Sequence, residues 1–282
     1  MYSQRRKLAK YQWNRQDRLH HIKTSYLKSP LPLSNTGRIC TPDGYSVAEL
    51  HTHTVLSDGT QTVEQNLLTA KSRGISVLAT TDHDMIQASL TTSEICSNYG
   101  VSAVVGSEIT TIGQQHILGL FINTCIPIFR RVETTVQAIR SQGGLAIVAH
   151  PFLPFPGATN KRRLLNWLEH TTFDGIELDS PYLTNRGREQ LLEFYEDHKV
   201  ALGAPLASSD SHFGNLGAKV TLFPGTDAND LRTAIKMRTT VAATTNVPQL
   251  KPNIRDRLHN NYRSLFSLPI YRIKALVTGK YT

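Results

Sequence analysis

The chain has 282 residues, 39% hydrophobic and 19% charged, with a formal charge of +9; it is too apolar and too evenly mixed for disorder throughout. No apolar run approaches the ~20 residues needed to cross a bilayer, which excludes a transmembrane helix. The three cysteines, Cys40, Cys96 and Cys125, show no paired spacing, which argues against a disulfide scaffold or a thiolate zinc site and points to a reducing, cytoplasmic setting.

The charge is uneven along the chain. Residues 1–46 carry nine Lys/Arg against two Asp, residues 251–282 carry seven against one, and the middle is mildly acidic. The basic start lacks the continuous apolar core of a secretory signal. Leu8, Tyr11, Leu19, Ile22 and Tyr26 can share one side of a helix. Its Lys/Arg residues, interleaved with Tyr11 and Trp13, suit a nucleic-acid contact or an anionic lipid surface. The plainer reading is a solvated tail or a helix docked on the body. Pro30, Pro32, Gly37, Pro42 and Gly44 then mark an irregular linker. The expected division is a basic N-terminal extension and linker at 1–46, a barrel at 47–245, and a basic C-terminal tail at 246–282. The 265–277 stretch of that tail is apolar enough to dock on the body.

From Ser46 short β-rich runs at 47–53, 75–81, 101–106, 116–122, 145–150, 175–178, 201–208 and 220–223 alternate with amphipathic segments. These lie at 63–73, 89–99, 131–142, 161–170, 186–199 and 227–238. Val63, Leu67, Leu68 and Ala70 fall at helical spacing, Thr62 can cap that helix, and Gly74 can end it. Alternating strand and helix imply parallel strands with helices outside. About seven such units suggest a β/α barrel, with an open doubly wound sheet as the alternative.

Six of the eleven histidines stand at the start or end of a predicted strand: His51, His53, His83, His116, His150 and His212. A β/α barrel builds its active site from the loops at strand ends. His51 and His53, two apart on a strand, face the same way, and Asp58 follows on a turn shaped by Gly59. His83 directly follows an apolar run, and Asp84 can cap the next helix or support the His83 site from behind. Glu108 stands between β-branched residues in an apolar strand, where a buried carboxylate needs a cation. His116 borders another apolar run. His150 follows four apolar residues and precedes Pro151, and Asp210 and His212 repeat the two-residue spacing. Taken singly these read as surface histidines, a helix cap, an edge-strand glutamate or satisfied core histidines. Together they are too many ligands for one metal. Imidazole and carboxylate without thiolate favour two or three divalent ions, Mn, Fe or Zn, in a hydrolytic centre.

The motifs His51-Thr52-His53-Thr54 with Ser57-Asp58-Gly59, Thr81-Asp82-His83-Asp84, Gly106-Ser107-Glu108-Ile109, Ala149-His150-Pro151 and Ser209-Asp210-Ser211-His212, with His116, resemble the PHP family. The family is named for polymerase and histidinol phosphatase, and the resemblance spans about residues 47 to 245. It implies an α/β fold, a distorted (β/α)7 barrel, with a trinuclear metal centre. By resemblance one ion takes His51, His53, Glu108 and Asp210; a second takes Glu108, His116 and His150; a third takes Asp58, His83 and His212. One branch of the family, nucleotide phosphatases that also trim RNA ends, carries a helical insertion before the Ala-His-Pro motif. The 33 residues between His116 and His150 leave no room for it.

The expected function is hydrolysis of a phosphate ester, of a phosphorylated small molecule, nucleotide or short oligonucleotide, by a metal-activated hydroxide. Asp58, His83 and His212 are the candidate catalytic groups. Lys161, Arg162, Arg163 and Arg186 are the candidate cations for the substrate phosphate, although each alone reads as an exposed helix charge. Two other classes stay open: a nucleic-acid-binding or regulatory module with a weakly active barrel tethered by basic tails, and a metal-dependent hydrolase of a non-phosphate ester or amide.

Overall fold

Thr62 caps α1 (Val63–Arg73) by a reciprocal exchange. Its hydroxyl accepts from the Gln65 N–H, the Gln65 side chain accepts from the Thr62 N–H, and Gly74 closes the helix at φ 73°. The computed structural model describes residues 25–155, 157–249 and 251–279. Tyr26 lies in a strand, and the rest of the basic stretch with Leu8, Tyr11, Trp13, Leu19 and Ile22 falls outside the described residues.

The strands are β1 (Tyr26–Leu31), β2 (Tyr45–Glu49), β3 (Val77–Thr80), β4 (Ser102–Thr110), β5 (His116–Leu120), β6 (Leu145–Val148), β7 (Gly175–Asp179), β8 (Ala204–Ala207), β9 (Lys219–Pro224) and β10 (Val241–Thr245). They form one sheet in the order β1-β10-β9-β2-β3-β4-β5-β6-β7-β8. The remaining helices are α2 (Gln87–Ile95), α3 (Val132–Ser141), α4 (Lys161–Leu168), α5 (Asn185–Leu202), α6 (Ala228–Met237), α7 (Ile254–Tyr262) and α8 (Leu268–Thr278), with a π-helical turn (Arg263–Ser267) joining the last two.

The sheet is nearly closed and barrel-like, the distorted α/β barrel that the motifs implied. Its distortion lies in two reversed strands. β5 runs antiparallel to β4 and β6, and β9 runs antiparallel to β2 and β10, where alternation had implied parallel strands. The connections explain this. Only residues 111–115 join β4 to β5, and residues 208–218 join β8 to β9 without a helix. A parallel crossover needs a dozen or more residues, usually a helix.

Side chains close the seam between β8 and β9. The Thr221 hydroxyl accepts from the Ala207 N–H at 3.0 Å and donates to the Ala207 carbonyl at 2.9 Å. Asp179 of β7 gathers the Lys219 ammonium at 2.7 Å, the Thr244 hydroxyl at 2.9 Å, the Tyr26 hydroxyl at 3.0 Å and the Arg188 guanidinium at 2.9 Å. One buried carboxylate thereby ties β7 to β9, β10, β1 and α5.

β1 lies inside the stretch read as extension and linker. It pairs parallel with β10 and buries Leu27 and Leu31. Pro30 is tolerated because the strand is an edge. Ala48, Val77, Val104, Leu120, Ile147, Leu206 and Phe223, contributed from around the sheet, pack with Leu231 of α6 in one core cluster. Among the described residues no helix is long and apolar enough to cross a membrane.

Candidate metal centre

Beyond the end of β2 the chain stays extended, because Thr52 donates its N–H to Thr81 Oγ1 and its hydroxyl to the Ala79 carbonyl and bridges to Ser211. Period two then turns His51 and His53 the same way. Asp58 returns on a turn that needs Gly59, since a Cβ there would come within 2.5 Å of the His53 carbonyl oxygen. His83 follows β3 and bridges to Glu108 near the end of β4. His116 opens β5 opposite Thr110; the reversed direction of β5 puts its first residue at the same mouth as the last residues of β4. His150 follows β6, and Asp210 and His212 follow β8. His150 and Asp210 have φ of 28° and 46°, sparsely populated values for residues with a Cβ, of the kind held at functional sites.

These nine groups, scattered over 162 sequence positions, converge on one buried pocket with Glu108 at its centre. Glu108 Oε2 lies 3.1 Å from His51 Nε2, 3.2 Å from His53 Nε2 and 3.1 Å from His83 Nδ1. Its Oε1 lies 2.8 Å from both His116 Nδ1 and His150 Nε2. Asp210 Oδ1 stands 3.5 Å from His51 Nε2 and 3.3 Å from His53 Nε2. Asp58 Oδ1 stands 3.3 Å from His212 Nε2, and its Oδ2 stands 3.7 Å from His83 Nε2. Four groups bring one ligand atom per residue within 4.8 Å of one another: His53, Asp58, His83 and His212; His51, His53 and Asp210; His51, Glu108 and His150; His83, Glu108 and His116. Clusters sharing members in this way suit a multinuclear site.

The unpartnered atoms test whether cations fit. His51 Nε2, His53 Nε2, His83 Nδ1, His116 Nδ1, Glu108 Oε2 and Asp210 Oδ1 are buried and make no hydrogen bond of sound geometry among the described residues. Buried polar atoms are normally paired. Six lone-pair donors aimed into one pocket, all nitrogen or carboxylate oxygen, form a donor set for divalent ions. The electrostatics agree. Burial opposes ionising Glu108, but the imidazoles of His116 and His51 outweigh it and hold its carboxyl well below the usual carboxylate range. Burial likewise opposes ionising Asp58 and Asp210, and the neighbouring histidines hold both low. Burial drives His83 well below its ordinary value, so it presents a neutral ring.

Several supporting residues went unread in the sequence. Glu177 of β7 faces His51 Nδ1 at 3.2 Å and accepts the His150 N–H at 2.7 Å, so it orients two of the converging groups at once. Its signal was available: like Glu108, it is an acid inside an apolar strand. We predict that Glu177→Ala lowers metal affinity or turnover about 10- to 100-fold, read by metal titration of the purified variant; an unchanged affinity and rate would remove Glu177 from the site. Glu49 takes the N–H groups of Ser209 and Gly217 on its two oxygens, each at 2.8 Å, and pins the loop carrying Asp210 and His212. Asp82 accepts from Thr54 and from the Ser57 hydroxyl. Asp84 does not cap α2, whose cap residue Ile86 makes no side-chain bond; it accepts instead from Thr110 and Arg272. The C-terminal segment also reaches the rim: Ser264 donates to Asp58 Oδ2 at 2.7 Å, and Arg263 donates to the carbonyls of Val55, Leu56 and Ser57.

Lys161, Arg162 and Arg163 stand exposed at the start of α4, beyond the His150 loop, and Arg186 stands exposed at the start of α5. Among the described residues none of the four forms an ion pair; Lys161 lies over the Phe194 ring.

With this geometry in hand, comparison with known proteins finds the PHP domain over residues 49–237. An uncharacterised protein of Methanocaldococcus jannaschii is 36% identical over 146 residues, 48% of this chain and 82% of that protein. A phosphoribosyl 1,2-cyclic phosphate 1,2-diphosphodiesterase of Eggerthella lenta is 35% identical over 86 residues, 29% of this chain and 33% of that enzyme. Among solved structures, a two-domain protein from Bacteroides vulgatus, described as containing a predicted PHP-like metal-dependent phosphoesterase, superimposes with a TM-score of 0.61 at 18% identity. That likeness is one of fold, over 75% of this chain and 69% of the other.

Proposed function

Because this chain belongs to the PHP domain family of metal-dependent phosphoesterases, we propose that it hydrolyses phosphate esters of small molecules or nucleotides at a centre of two or three divalent ions. The observation that carries the reading is Glu108, whose two oxygens lie within 3.2 Å of five imidazole nitrogens. A carboxylate so placed would serve two adjacent ions at once. In this reading His51, His53, Glu108 and Asp210 would hold one ion, Glu108, His116 and His150 a second, and Asp58, His83 and His212 a third. Bound divalent ions supply Lewis acidity toward phosphoryl oxygens and make a water acidic enough to serve as the nucleophile near neutral pH.

The chain's own residues do the rest. Glu177 and the Asp82–Ser57 pair hold the rings of His51 and His53 in place. Asp58, His83 and His212 are the proposed catalytic groups. Burial and the adjacent His53 oppose a charge on His212, yet Asp58 and Asp210 outweigh them and hold its pKa above the ordinary value. His212 Nδ1 faces the Asp210 carbonyl at 3.1 Å, which turns Nε2 toward Asp58 Oδ1 at 3.3 Å and the place of the third ion. Lys161, Arg162, Arg163 and Arg186 are the proposed grips for the substrate phosphate; all four are exposed and, among the described residues, form no ion pair.

Chelation tests the reading. Stripping the purified protein of metal is expected to lower phosphate release from p-nitrophenyl phosphate and from a nucleotide panel by about 100-fold or more, with restoration by Mn, Fe or Zn. The panel includes a ribose cyclic phosphodiester, the ester class named for the Eggerthella enzyme. Retention of labelled RNA with no ester cleaved under any metal would favour a binding module instead, and the reading would fall.

A further inference from the structure

The C-terminal helical segment presents two opposite faces. The inner face is polar and committed to the mouth of the metal centre. Asn260 donates to the Asp58 carbonyl at 2.7 Å, Ser264 to Asp58 Oδ2, Tyr271 to the Asp84 carbonyl at 3.2 Å, and Arg272 to Asp84 Oδ2 at 2.6 Å. Leu268 and Ala275 bury beside them. The outer face carries Ile254, Leu258, Leu265, Phe266, Ile273 and Val277, each more than half exposed, from 57% at Phe266 to 81% at Val277. An ordinary surface helix buries its apolar stripe and shows its charges. Here the arrangement is inverted, and the stripe runs for about 35 Å at ~1.5 Å per residue.

The surrounding charge says what covers it. Lys251, Arg255, Arg257 and Lys274 are exposed around the stripe, and Asp256 is the one acid in residues 251–282. Residues 1–24 carry seven Lys/Arg against one Asp. Packing the stripe of a second copy, or the N-terminal segment, against this face would bring two strongly basic segments together, which repel. An anionic surface attracts both. A helix with a long apolar stripe, basic flanks and scarcely any acid has the composition of one lying in a bilayer interface. It is a surface helix, since among the described residues none is long and apolar enough to span.

We propose that the outer face of residues 254–277 docks in the interfacial region of an anionic lipid bilayer. The inner face keeps its hold on Asp58 and Asp84, so the mouth of the metal centre is presented at the lipid surface. This rests on the outer face alone and does not depend on the ester-hydrolysis reading.

Co-sedimentation of the full chain with vesicles tests it, using phosphatidylcholine alone and phosphatidylcholine mixed with phosphatidylserine. Binding to the mixed vesicles is expected, weakened by salt, with little binding to the neutral ones. The combined variant Leu258→Asp, Leu265→Asp and Ile273→Asp should weaken binding by about tenfold or more. Its thermal midpoint should not move, because all three side chains are exposed. Three results would overturn the proposal. The variant binds as well as the parent; or binding is lost only with Arg5→Glu, Arg6→Glu and Lys7→Glu; or the apolar-face variant instead converts a dimer to a monomer in sedimentation equilibrium, which would make a second copy the occupant.

Discussion

Glu108→Ala should abolish turnover, by more than the ~10²–10³-fold lost with a single transition-state hydrogen-bond donor, and should lower bound metal at more than one position. Glu108 Oε2 serves the His51, His53 and His83 side of the pocket, and Oε1 serves His116 and His150. Removing the side chain withdraws the shared negative charge from both sides. The fold should survive. The Glu108 N–H still reaches the carbonyls of Thr81 and Asp82, and β4 keeps its ladder to β5. Elemental analysis of the purified variant reads metal content, phosphate release reads turnover, and circular dichroism reads the barrel. A variant with full metal content and parental turnover would show that the central carboxylate bridges nothing. Glu108→Gln separates charge from shape: it keeps one oxygen and the volume, and it should lose metal nearly as completely if charge is what counts.

The largest effect on stability is expected at Asp179→Ala. The Asp179 side chain is fully buried, and it accepts from Lys219, Arg188, Tyr26, Thr244 and the Ser180 N–H. Burial pushes the Tyr26 hydroxyl up to about 12, so it stays a donor through the neutral range. Burial also lowers the pKa of Lys219, and Asp179 is the charge that opposes this. Without it an ammonium stands nearly buried and unpaired at the barrel seam. Breaking such a pair from one side costs about 3–5 kcal/mol, which lowers the thermal midpoint by roughly 10 °C in a chain of this size. The double variant Asp179→Ala with Lys219→Met should recover a good part of the loss, since it removes the stranded charge. A single variant within about 0.5 kcal/mol of the parent in urea unfolding would show that the seam is held elsewhere.

Local rules made part of this protein legible. A two-residue spacing on an extended segment turns two side chains to one face, so His51 with His53 needed no tertiary information. A carboxylate inside an apolar strand signals a buried partner, and Glu108 met that expectation; Glu177 and Asp179 obey the same rule and went unread. Thr62, Gln65 and Gly74 spell out a helix and its ends because caps act over three or four residues.

What stayed hidden depends on groups far apart in the chain. β1 was masked by Pro30 and Lys28, and it is a strand only because β10 lies alongside. The reversal of β5 and β9 follows from connections too short for a crossover, yet which neighbours those strands meet is decided by closure of the sheet. Ser264 donates to Asp58 across 206 positions, and Tyr26 donates to Asp179 across 153. The amino-acid sequence by itself determined which imidazole and carboxylate side chains stand at strand ends and the alternation of strand and helix, because both are written in spacings shorter than one element. Only the tertiary structure decided the strand directions, the seam and the docking of the C-terminal helix by its polar face rather than by the apolar residues of 265–277, because each is a pairing between distant segments whose free energy appears only once the barrel brings them together.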